Sequence, residues 1–89
     1  MVLADTTRRN KMENNVMIEE MFNKLMSTAP EIITRKKLKE LTGGLISEKT
    51  LANLDSNGEG IRPRMRIGGK TAYPRKAAIE WLKKRCEIF

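Results

Sequence analysis

The 89-residue sequence predicts a mainly α domain with a small β-hairpin, preceded by an extra amino-terminal helix. Three observations predict it. Apolar residues recur at helical spacing near both ends of the chain. Two short helical patterns, each opened by a hydroxyl residue, meet at a pair of glycines. A second glycine pair is flanked by strand-forming residues. The length suits one core, and the expected divisions are a flexible N-terminus over 1–11, an amphipathic helix over 12–30 and the domain proper over 31–89.

In the amphipathic helix, Ile18, Met21, Phe22 and Leu25 stand at i, i+3, i+4 and i+7, and the pattern stops before Pro30. Next, Thr34 is placed to cap a helix over Arg35 to Thr42, with Ile33 stapled to Leu38 and Gly43 supplying a left-handed stop. The grammar then repeats. Ser47 caps the following helix, Ile46 pairs with Leu51, and Glu48 sits in the first turn, where the helix dipole favours an anion. Leu38, Leu41, Leu51 and Leu54 can meet across the turn, leaving Lys49, Thr50 and Asn53 outside.

The run Asp55 to Gly60 reads as a loop, and Pro63 keeps the next segment from being helical. Met65 to Ile67 and Thr71 to Tyr73 then flank Gly68, Gly69 and Lys70 as a hairpin. A final helix starts at Pro74, with Ala78, Trp81, Leu82 and Cys86 on one face; Trp81 is expected as the largest core residue and Cys86 as a small buried one.

Composition narrows the function. With no histidine and a single cysteine, the chain has neither a Cys/His zinc site nor the usual general base of nucleophilic catalysis, so no enzyme, metal or cofactor is expected. No secretory leader or membrane-length apolar run is evident, and a cytoplasmic location is expected. Gly69-Lys70-Thr71 resembles the end of a phosphate-binding loop, but Arg64 stands where that loop needs a glycine. The lysine runs at 36–39 and 83–85 lack the exposed aromatic face of a lipid anchor.

The net charge is +7, and all of it lies beyond residue 30, where 14 basic residues face 7 acidic ones. Arg62, Arg64, Arg66, Lys70, Arg75 and Lys76 form a stretch without an acidic residue. A basic face kept only for solubility would not need to gather around a turn, whereas a nucleic-acid surface would.

Helix, glycine turn, helix, loop, basic hairpin, helix is the order of a winged helix-turn-helix, whose second helix enters the major groove while the hairpin rests on the adjacent backbone or minor groove. Arg35 and Lys36 open its first helix, and Asn53 is the candidate for an adenine edge, Lys49 for a guanine or phosphate. The runs Leu41-Thr42-Gly43, Ile46 to Leu51, Pro63 to Lys70 and Ala78 to Leu82 together resemble the excisionase and AlpA-type regulators, small MerR-like winged helix proteins; the similarity covers roughly Ile32 to Arg85. The resemblance implies a DNA-binding protein of phages or integrated elements that assists excision by bending DNA or regulates transcription. By matching positions it implies that Ser47, Lys49, Thr50 and Asn53 lie on the recognition helix, Arg64, Arg66 and Lys70 on the wing, and Trp81 in the core. The alternative is an interaction module whose methionine-rich first helix binds a recombinase such as an integrase, or a second copy of the chain. Structured RNA is a third reading, weakened by the lack of an aromatic stacking platform.

Overall fold

The computed structural model describes residues 2–89, with side chains from Asn15 onward. The chain runs α1 (Val2–Thr28), β1 (Ile32–Thr34), α2 (Arg35–Leu41), α3 (Glu48–Ser56), β2 (Met65–Ile67), β3 (Lys70–Pro74) and α4 (Arg75–Arg85). The architecture is mainly helical with one small antiparallel sheet of order β1-β3-β2.

Helix α1 begins at Val2, where the sequence predicts a flexible N-terminus through residue 11; residues 2–11 contain no apolar stripe to signal a helix but also no proline or glycine to break one. At about 1.5 Å per residue its 27 residues span about 40 Å, much of the 58 Å long axis of the molecule. Phe22 is buried and Ile18 and Leu25 are half-buried, with Lys83 of α4 reaching Glu19 at 3.6 Å. Among the described residues, no helix is long and apolar enough to cross a membrane.

The caps follow the sequence. Thr34 accepts from the Lys37 amide at 3.0 Å and Ser47 from the Thr50 amide at 3.1 Å. Helix α2 ends in a Schellman motif: the Gly43 amide donates to Glu40 and the Gly44 amide to Lys39, with Gly43 at φ +66°. Helix α3 ends the same way, Gly58 donating to Asp55 and Glu59 to Leu54. Residues 55 and 56, expected in a loop, therefore belong to α3, because the stop signal is Gly58 rather than the polar run before it.

The hairpin turns at the expected glycine pair, but β3 begins at Lys70, so the loop is two residues where the sequence suggests the three from Gly68 to Lys70. Ile67 pairs with Lys70, and Gly68 and Gly69 both take positive φ, +59° and +79°, as a type I′ turn requires. Strand β1 is absent from the sequence reading: three residues are too few to show an alternation, and the pattern marks Ile33 only as a staple residue. Ile33 pairs with Tyr73 on central β3, and both side chains are fully buried with Leu38, Leu51, Ile61 and Ala78. Each of the isoleucine and leucine side chains contributes about 1.5–3 kcal/mol by leaving water.

Trp81 is not the largest core residue; Tyr73 is, and Trp81 packs half-buried at the edge. Its indole N–H donates to the Glu59 carbonyl at 3.2 Å, as does Arg85, whose guanidinium lies 4.5 Å from the indole centroid. Cys86 is likewise half-buried rather than sealed in the core.

Candidate nucleic-acid interface

The turn and caps aim α3. Leu51 is fully buried against the core, and at 100° per residue Lys49 and Asn53 project from the opposite side, both exposed. Ser56 shares that outward face, a position the sequence reading misses because it stops the helix earlier. Thr50 is exposed on a flank, and its hydroxyl lies 2.9 Å from that of Ser47, so both hydroxyls are already engaged at the cap. Ser47 serves first to start the helix.

The wing approaches the side of α3 that carries Glu48 and Asp55. One open cleft is lined by Thr34, Arg35 and Lys36 from the start of α2, Glu48 from α3, and Arg66, Gly69, Lys70 and Thr71 from the hairpin. Because paired residues share a face, Arg66 and Thr71 lie on the Tyr73 side of the hairpin, and Ile67 and Lys70 on the other. Lys36, Arg66 and Lys70 are exposed around the cleft, with Glu48 as its one acid.

Other expected wing residues sit elsewhere. Arg75 opens α4, about 16 Å along β3 from Lys70, so neither it nor Lys76 belongs to the hairpin tip. The Arg75 guanidinium donates to the Ala29 carbonyl at 3.0 Å and its amide to Glu31 at 2.8 Å, stapling the end of α1 to the start of α4. Lys76 is exposed on that helix. Arg62 is exposed in the α3-to-β2 connector beside Gly58.

Asp55, expected as part of an acidic loop, is the one buried charged residue among the described residues. Its Oδ2 accepts from the Tyr73 hydroxyl at 2.6 Å and from Arg35 at 2.7 Å, while Arg35 Nε donates to the Tyr73 oxygen at 3.1 Å. Arg64 donates to the Asp55 carbonyl at 3.3 Å and lies 3.8 Å from Oδ1. Arg35 and Arg64, expected on the first helix and the wing of the helix-turn-helix, thus direct much of their charge inward, where the Asp55 carboxylate is neutralised inside the fold. Only the lack of local partners for an Asp at the end of an amphipathic helix could have hinted at this; Arg35 and Tyr73 are 20 and 18 residues away.

Hydrogen bonding to Asp55 raises the Arg35 guanidinium further above its ordinary range, so it remains a cation. Burial, and then the Asp55 hydrogen bond, raise the Tyr73 phenol above its ordinary 10.0 despite the opposing Arg35. Since the folded value exceeds the unfolded one, the neutral phenol contributes fully below about pH 10 and its contribution is lost as pH rises through the folded value. Denaturant melts should show unfolding free energy falling above about pH 10, with a shallower fall in Tyr73→Phe. Identical slopes in the two proteins would show that Tyr73 ionises alike in both states.

Among the described residues no group of His, Cys, Asp and Glu could hold a metal ion. No family model matches the chain, and neither a curated protein nor a solved structure shows a significant similarity to it.

Proposed function

We propose that the chain is a non-catalytic double-stranded DNA-binding protein of winged helix-turn-helix type, working in the cytoplasm as an excisionase or transcriptional regulator. In this reading α3 lies in the major groove, Asn53 and Lys49 face base edges, and the β2–β3 hairpin holds the neighbouring backbone or minor groove. The observation that carries it is the cleft in which Glu48, the first residue of α3, meets Lys36, Arg66 and Lys70, so that the cationic hairpin stands beside the start of the helix, on the side next to the one that Lys49 and Asn53 present. A duplex laid on α3 then has cations on its flank. The resemblance of the turn, wing and α4 motifs to the excisionase and AlpA-type family belongs to the same proposal.

Lys36, Lys49, Arg62, Arg66 and Lys70 are exposed cations on or near α3 and the wing. Neutralising about five phosphates gives a slope of log affinity against log salt of about −4.5. Gel shifts with competitor DNA should return that slope, and Arg66→Ala should weaken every duplex alike, whereas Asn53→Ala should narrow the gap between a selected site and random DNA. An affinity indifferent to salt contradicts the mechanism.

A second reading, an adapter that binds an integrase or a second copy, is favoured by one apolar groove. Met21 and Leu25 of α1, Leu41 at the end of α2, Leu45 and Ile46 of the turn and Leu82 of α4 line it, and Leu45 is 84% exposed. Sedimentation of the full chain, alone and with integrase, separates this from DNA binding.

A further inference from the structure

On the reading of the chain as a duplex-binding protein, we propose that Ile67 is a specificity-determining residue, an apolar contact that seats the hairpin tip in the minor groove and selects A·T-rich sequence there. Ile67 is 54% exposed on a hairpin whose neighbours are cations: Arg66 precedes it and Lys70 stands directly across the strand pair. The side chains divide between faces. Ile67 and Lys70 project together on one side and Arg66 on the other, where it lines the cleft with α2. Between them the tip is bare, for Gly68 and Gly69 have no side chains and nothing lies within 4 Å of where a Cβ would stand on either.

A large apolar side chain that shares its face with a lysine, with Arg66 behind it on the other face, is poorly suited to a protein partner, which would have to strip water from Lys70 to cover it. The minor groove offers the matching pattern: phosphates along both rims and an apolar wall of sugars between. It is about 6 Å wide and 7.5 Å deep, and neighbouring strands lie about 4.8 Å apart, so a ribbon with a glycine tip can enter where one with side chains at the tip would not. Inside, the G·C pair differs from A·T by an exocyclic amino group on the groove floor. An isoleucine pressed there leaves that donor without an acceptor, a penalty that G·C carries in addition to the unpaired floor acceptors common to both pairs.

The test uses the full chain and a duplex site selected with it from random sequence. Replacing adenine by 2,6-diaminopurine, one position at a time, adds the minor-groove amino group while leaving major-groove acceptors and methyls in place. At the wing positions the substitution should weaken binding by the natural protein about tenfold, the scale of one buried donor left unpaired. Ile67→Thr should bind the unmodified site more weakly, with the diaminopurine penalty flattened. Threonine keeps the β-branch an exposed strand favours, so the thermal melt of the variant should match the natural protein and isolate DNA contact from folding. Duplex binding in which Ile67→Thr leaves both affinity and the diaminopurine profile unchanged overturns this inference alone. A chain that binds no duplex at moderate salt overturns it together with the proposed function.

Discussion

Replacing Asp55 by alanine should cost about 3 kcal/mol or more in denaturant unfolding, a large share of the roughly 5–15 kcal/mol that holds a typical domain together. The substitution leaves Tyr73, fully buried, and Arg35, whose side chain is 27% exposed, without their common acceptor. Partial access of Arg35 to water places the cost at the low end of the roughly 3–5 kcal/mol seen when one partner of a buried pair is removed. Asn at the same position keeps an acceptor and the shape, and should lose about half as much. A loss under about 1 kcal/mol for alanine would mean that water replaces the carboxylate and that the network does not organise the fold.

Gly60→Ala should be nearly as damaging for a related reason. A Cβ there would stand 1.8 Å from Asp55 Oδ1 and 3.0 Å from Asp55 Cα, and the carboxylate cannot swing away without abandoning Tyr73 and Arg35. The expected cost is about 2–4 kcal/mol, in the range of overpacked sites. The two positions should also be coupled. In an Asp55→Ala background the nearest obstruction is gone, so adding Gly60→Ala should cost about 1 kcal/mol less than it does alone, or better, while the backbone approach keeps the remainder above zero. Strict additivity in the four-protein cycle would place the strain of Gly60→Ala outside the Asp55 side chain.

Much of the fold can be read because its signals are local. The caps at Thr34 and Ser47, the stop at Gly43 and the Gly68-Gly69 turn each depend on residues within three or four positions, and each occurs as expected. What escapes the sequence depends on distant partners. Strand β1 exists because Ile33 finds Tyr73, 40 positions on, and three residues carry no periodicity of their own. The end of α3 is misjudged because Asp55 and Ser56 have loop composition, whereas burial of Asp55 against Arg35 and Tyr73 extends the helix.

The candidate interface divides the same way. The outward positions of Lys49 and Asn53 follow from helical periodicity once Leu51 is taken as buried, and the hairpin cations follow from strand alternation. Which arginines remain outside does not. Arg64 and Arg66 are indistinguishable by charge and spacing, yet one turns back to Asp55 and the other lines the cleft. Arg75 reads as an extension of the basic stretch and instead fastens α1 to α4.

The lone tryptophan has a practical bearing. Because the Trp81 indole rests on the carbonyl of Glu59, in the segment that joins α3 to the hairpin, its emission is a native optical reporter on that connector. Rearrangement of the segment when a ligand arrives would register there without any attached dye, and Arg85, stacked on the same ring, would tune the colour and brightness of the signal.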